Sequence, residues 1–89
     1  MEAALIHRTT PSFWAAYDKL PPEVRKVADK NFAPLRGDPH HPSLQLKKVG
    51  RYWSARVGID YRALAQRDDE GRFTWFWIGT HPRYERHIK

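Results

Sequence analysis

The stretch WSARVGIDYRALA, residues 53–65, carries most of the information about the fold of this chain. Two runs that favour β-strands flank residues 58–60, whose length and glycine are typical of a three-residue hairpin turn. With that turn, Arg56 lies directly opposite Arg62 on the neighbouring strand. Like charges in this position destabilise a sheet by about 0.2–1 kcal/mol. We therefore expect an anion to bind between the two arginines.

The length and composition indicate one small intracellular domain. The chain has 89 residues, which predicts a single domain over residues 1–89. It contains no cysteine, and this excludes disulfides and thiolate metal sites. No apolar stretch approaches the roughly 20 residues of a membrane span, and the N-terminus lacks the apolar core of a signal peptide. We expect a soluble protein in the cytoplasm without a membrane partner.

The positive charge is concentrated in the second half of the chain. Residues 1–43 hold six Lys/Arg against five Asp/Glu, whereas residues 44–89 hold ten against five. This excess falls on the predicted sheet and suits a surface that binds phosphate groups. An acidic protein partner would also be attracted to such a face.

The pattern of turn residues and apolar spacing predicts an α+β fold. Thr10-Pro11 supplies a helix cap followed by proline at the first helical position, and Pro21-Pro22 separates two short helices. The chain order is β-α-α-β-β-β-β-(α), with an N-terminal helical hairpin and antiparallel pairing in the second half. The predicted elements are a strand at 5–9, helices at 11–20 and 23–35, strands at 44–49, 53–57, 61–65 and 73–79, and a loop with a short helix within 80–89.

Alternating large and small side chains suggest a register for the last two strands. Ala65 is predicted to lie opposite Trp75, and Ala63 opposite Trp77. Bulky rings beside small alanines are typical of a sheet face that packs against helices. This assignment turns the two arginines of the hairpin to the opposite face.

The sequence resembles the RelE/ParE superfamily, the small toxins of bacterial type II toxin–antitoxin pairs. The resemblance extends from about Leu5 to Tyr84 and is clearest in WSAR (53–56), YRAL (61–64) and WIGTH (77–81). It implies a RelE-like fold, in which a twisted antiparallel sheet packs against the N-terminal helical hairpin.

Membership of the RelE-like branch implies cleavage of mRNA on the ribosome. In that metal-independent and cofactor-free reaction, the ribose 2′-hydroxyl attacks the adjacent phosphate and expels the 5′-oxygen of the next nucleotide. The chemistry requires a base, an acid and cations around the phosphorane. The resemblance also implies a protein antitoxin that wraps the helices or covers the basic face, and we expect this antitoxin to be acidic.

Four residues match positions of the family's catalytic site. Arg62 matches the arginine of the "YR-apolar" strand, which binds phosphate, and Arg56 matches a basic position on the preceding strand. His81 stands where relatives carry a histidine or arginine after the last core strand, and an imidazole can exchange protons near neutral pH. Tyr84 resembles a C-terminal tyrosine that stacks on a base or assists the chemistry.

Four further cations are predicted to bind the substrate. Lys47 lies near a strand position that carries catalytic or binding charge in some relatives, and the others are Lys48, Arg51 and Arg83. Each of the functional residues also has a structural interpretation. Arg62, for example, would be neutralised if it paired with Asp60 or Glu85.

Departures from the family pattern leave two other functions open. Some relatives place a glutamate before the Leu-Lys step as a general base, whereas Pro42-Ser43-Leu44-Gln45 contains no acid. A ParE-like inhibitor of DNA gyrase, or an inactive toxin-fold binding protein, would need no general base.

A free RNA-binding module that stacks bases on exposed Trp75 and Trp77 is the third interpretation. A metal site at His40-His41 is rejected because adjacent histidines lack ligand spacing.

Overall fold

The computed structural model describes residues 7–36 and 45–88 of the chain. The elements are β1 (His7–Thr9), α1 (Pro11–Tyr17), α2 (Pro22–Phe32), a 3₁₀ helix (Ala33–Arg36), β2 (Lys47–Val49), β3 (Tyr52–Val57), β4 (Tyr61–Arg67), β5 (Phe73–Thr80) and α3 (His81–Ile88). Their order confirms the predicted α+β arrangement. The first residues of the predicted 5–9 and 44–49 strands, and the His40-His41 pair, lie outside the described residues.

The five strands form one sheet in the order β1-β5-β4-β3-β2. The pairs β2–β3, β3–β4 and β4–β5 are antiparallel, as expected for strands joined by short turns. β1 differs because it lies parallel to β5 at the edge of the sheet. A parallel neighbour requires a long connection, and the helices, β2, β3 and β4 all lie between β1 and β5 in the chain.

Each of the two N-terminal helices begins at a proline. The Thr10 hydroxyl accepts a hydrogen bond from the Phe13 amide, and Pro11 starts α1 as predicted. α1 ends at Tyr17, three residues before the predicted Leu20, and α2 begins at Pro22. The Tyr17 hydroxyl donates to Asp29 Oδ1 at 2.6 Å, which raises the pKa of Tyr17 and links the two helices.

One face of the sheet and the helical hairpin enclose the core. Small side chains on β3 and β4 let the helices approach closely, and larger side chains fill the space around them. The buried residues of this core include Phe13, Ala28, Ala55, Val57, Ala63, Ala65, Phe73 and Trp75. Trp75 is 1% exposed, and its ring meets Phe32 of α2 edge to face at 5.2 Å.

A β-bulge changes the predicted register of β4 and β5. Ala65 pairs with Trp75 as predicted, but beyond the bulge Trp77 pairs with Leu64 and Ala63 pairs with Ile78. The prediction that Trp77 packs against the helical hairpin is therefore wrong. Phe76 is the additional residue, and it shifts the alternation of side chains by one position.

Trp77 instead anchors α3 to the opposite face of the sheet. Its ring lies 4.5 Å from that of His87 in the last turn of α3. At the other end of α3, the His81 amide donates to the carbonyl oxygen of Asp60 in the β3–β4 turn at 2.9 Å. The two contacts hold α3 along β4 and β5. Among the described residues, no helix has the length and apolar character needed to cross a membrane.

Gly79 is required beneath the Trp77 ring. A Cβ atom at position 79 would lie 2.9 Å from Cη2 of Trp77 and still closer to Cζ2. Real Cβ atoms essentially never approach other atoms so closely. The glycine therefore allows the indole to fold back over its own strand.

We expect Gly79→Ala to destabilise the protein by about 1–3 kcal/mol, since the added methyl group overpacks the ring. Chemical denaturation of the wild type and the variant measures this free energy. The matched control makes the same change in a Trp77→Ala background, where the clash is removed and the loss becomes small. An equal loss in both backgrounds would contradict the proposed role of the ring.

Candidate functional site

The β3–β4 hairpin has the predicted register. Residues 58–60 form the turn, Val57 pairs with Tyr61, and Arg56 pairs with Arg62. The turn uses Gly58 in a left-handed conformation, with a φ of 65°. The two guanidinium groups thus extend from directly opposed positions on the face that also carries α3.

Arg62 is held by backbone groups of the turn. Its Nη1 donates to the carbonyl oxygen of Tyr61 at 2.8 Å and to that of Ile59 at 3.3 Å. Within the described part of the chain, it forms no ion pair with Asp60 or Glu85. Its charge is therefore fixed in place without being neutralised by a carboxylate.

A polar cleft of about 270 Å³ surrounds the two arginines. Its lining comes from the segment before β2, from β2, β3 and β4, and from α3. The lining residues are Gln45, Lys47, Ser54, Arg56, Arg62, His81 and Tyr84. Three of these side chains are permanent cations, and none of the described lining residues is acidic. Such a cleft attracts anions, and arginine can hold two oxygens of one phosphate.

The first turn of α3 completes the cleft. His81 starts the helix, and its Nδ1 lies 3.8 Å from Oε2 of Glu85 one turn later. Tyr84 is buried, with its ring centred 5.4 Å from that of His81. Its ring contacts the imidazole and lines the cleft.

Lys47 is the one predicted substrate-binding cation that lines the cleft, and it pairs with Ser54 across β2 and β3. The other three lie elsewhere on the described surface. Lys48 extends to the opposite face, where it pairs with Trp53, and Arg51 lies in the β2–β3 turn. Arg83 lines a separate cavity of about 490 Å³ between α1 and the end of β5. Substrate binding by these three residues stays a prediction.

Two uncharged polar residues also line the cleft, and the sequence interpretation missed one of them, Gln45. Ser54 is 5% exposed and lies two positions before Arg56, so strand alternation alone places it on the same face. Gln45 enters from the segment before β2 with a φ of 49°, which is uncommon for a residue other than glycine. Only the Ser54 position could be read from the periodicity of a strand.

The fold is that of the RelE toxins. The RelBE2 toxin–antitoxin complex from Mycobacterium tuberculosis matches with 25% identity and a TM-score of 0.62, covering 86% of this chain and 98% of that one. The RelB–RelE complex from Methanococcus jannaschii matches with 15% identity and a TM-score of 0.70, covering 92% and 99%. The isolated RelE toxin from E. coli has 16% identity and a TM-score of 0.59, with 96% of each chain covered. No protein-family model and no curated protein matches the sequence.

The opposed arginines predict a specific effect on stability. Arg56→Gln should raise the free energy of unfolding by up to about 1 kcal/mol at low salt, because it removes repulsion from Arg62. The gain should shrink as salt screens the charges. Thermal denaturation at several salt concentrations measures both effects.

The control is Arg8→Gln, which removes the same charge from an exposed strand position opposite Thr74. It should show no comparable gain. Equal shifts in the two variants would mean that net charge, rather than the cross-strand pair, determines the result.

Proposed function

We propose that this chain, with its RelE-like fold, is the toxin of a toxin–antitoxin pair and a ribosome-dependent, metal-independent mRNA endoribonuclease. The observation that carries the proposal is the convergence of two opposed arginines, a lysine and a histidine in one cleft. This combination supplies charge for a phosphodiester and a group for proton transfer. Action on the ribosome would place the protein in the cytoplasm.

In the proposed reaction, the scissile phosphate binds between Arg56 and Arg62. The 2′-oxygen loses its proton, forms a bond to phosphorus, and displaces the 5′-oxygen of the next nucleotide. The products are a 2′,3′-cyclic phosphate and a 5′-hydroxyl end. The arginines and Lys47 stabilise the extra negative charge of the phosphorane.

His81 is the proposed proton-transfer group. Its imidazole lines the cleft beside the two arginines, with Nδ1 3.8 Å from Oε2 of Glu85, and can deliver a proton to the leaving 5′-oxygen. The Tyr84 ring contacts the imidazole. The described cleft lining holds no carboxylate to accept the 2′-proton, so deprotonation falls to groups of the ribosome.

Arg62→Ala should abolish cleavage and leave the fold intact. The arginine contributes transition-state charge, whose loss costs about 10²–10³-fold in comparable sites, and its side chain is only partly buried. A reconstituted translation system with a defined message, followed by primer extension, maps the cuts. The wild type should give discrete cuts only when ribosomes are present.

Two variants complete this experiment. His81→Ala should slow cleavage while ribosome binding is unchanged, whereas Arg8→Gln, away from the cleft, should cleave normally. Full cleavage by a folded Arg62→Ala protein would exclude the proposed site. A loss of ribosome affinity in His81→Ala that matches its loss of rate would contradict proton transfer.

A ParE-like gyrase inhibitor or an inactive binding protein is the second candidate, favoured by the lack of a carboxylate in the described cleft lining. It predicts intact messages in the same translation assay. Inhibition of DNA supercoiling would then identify the gyrase inhibitor, and an unaffected gyrase would leave a binding protein.

The proposed partner is an acidic antitoxin that covers the cleft. The chain carries a net charge of +6, and Lys47, Arg56 and Arg62 line this cleft, so an acidic segment bound across it would exclude RNA. Co-expression with an acidic protein encoded next to this chain should give a stable complex and suppress cleavage. A complex that still cleaves messages at the normal rate would place the antitoxin elsewhere.

A further inference from the structure

Two aromatic rings lie on the cleft face of the sheet, beside the site. Tyr52 precedes Ser54 by two positions on β3 and therefore shares its face. Its ring centre lies 5.2 Å from that of Phe76, at an interplanar angle of 57°. Phe76 belongs to β5, so the pair spans the intervening strand β4 on this face. Both side chains are partly exposed.

The β-bulge determines which side chain of β5 shares the cleft face with Phe76. Phe76 is the residue inserted between the positions that pair with Ala65 and Leu64. With regular pairing, the side chains of residues 75 to 77 would simply alternate between the faces. The bulge instead leaves Trp75 in the helix-side core and both Phe76 and Trp77 on the cleft side.

The surroundings of the ring pair are cationic. The Arg51 guanidinium carbon lies 6.0 Å from the centre of the Tyr52 ring. Lys47 pairs with Ser54, which lies between Tyr52 and the arginines along the sheet face. Successive residues on one face of a strand are about 7 Å apart, so Tyr52 lies roughly 13 Å from Arg56. This distance suits a nucleotide or two of extended RNA beside a bound phosphate.

We propose that Tyr52 and Phe76 form a stacking site for a base of the RNA whose phosphate binds between Arg56 and Arg62. Bases stack on exposed aromatic side chains, and neighbouring cations hold the backbone. The inference rests on the proposed function and adds a subsite to it. It replaces stacking on Trp75 and Trp77, because the Trp75 ring is buried beneath the helices.

Photo-crosslinking of the intact protein tests the stacking directly. The probe is a single-stranded RNA octamer that carries one 5-iodouridine, placed at each position in turn. Irradiation followed by mass spectrometry of the peptides should locate the crosslink on Tyr52 or Phe76. Crosslinks at other residues only, or none at saturating RNA, would overturn the proposal.

Substitution supplies the quantitative test. Tyr52→Leu should weaken binding of the octamer by about five- to a hundredfold, the range of one lost base–aromatic stack. Tyr52→Phe keeps the ring and should bind like the wild type. The matched control is Trp14→Leu, which removes an exposed ring on α1. Equal affinity of Tyr52→Leu and Trp14→Leu would also overturn the proposal, and thermal melting confirms that each variant folds.

The two proposals fail in different ways. If the wild type cuts no message on ribosomes but crosslinks to RNA at Tyr52 or Phe76, the nuclease proposal is wrong and the stacking-site proposal stands. The opposite result has three parts: the wild type cuts messages, Tyr52→Leu cuts the same positions at the same rate, and the wild type shows no crosslink at Tyr52 or Phe76. The stacking-site proposal is then wrong and the nuclease proposal stands.

Discussion

The β-bulge between β4 and β5 determines how both faces of the sheet are covered. It allows Trp75 and Trp77, two positions apart on one strand, to serve opposite faces of the sheet. Trp75 fills the core beneath the helical hairpin, and Trp77 holds α3 through His87. Without the bulge both indoles would face the helices. The second face would then lose its anchor for α3, which carries His81 and Tyr84.

The candidate site combines rigid positioning with unfavourable charge. Arg56 and Arg62 repel each other across the hairpin, and the carbonyl oxygens of the turn hold Arg62 without neutralising it. The stability of the hairpin comes from the opposite face, where small alanines pack beneath the helices. The two faces of the sheet therefore differ, since one packs against the helices and the other carries the opposed arginines. A bound phosphate would convert the repulsion into attraction.

The hydrogen bond between the His81 amide and the Asp60 carbonyl joins the two parts of the site. It connects His81, the first residue of α3, to the turn between the strands that carry the two arginines, so the groups proposed for proton transfer and phosphate binding are held together. The Tyr52–Phe76 pair extends the same face beyond Ser54. The groups proposed for phosphate binding, proton transfer and base stacking therefore all lie on one face of the sheet.

Local sequence determined the elements and the hairpin register. Turn length and strand alternation are properties of neighbouring residues, so the facing arginines and the Thr10-Pro11 helix start could be predicted. The bulge could not, because an extra residue in β5 leaves no local signal and is selected by packing on both faces at once. For the same reason, the Tyr52–Phe76 contact and the place of Gln45 in the cleft were decided only by the tertiary structure. Both join segments that are distant in the chain.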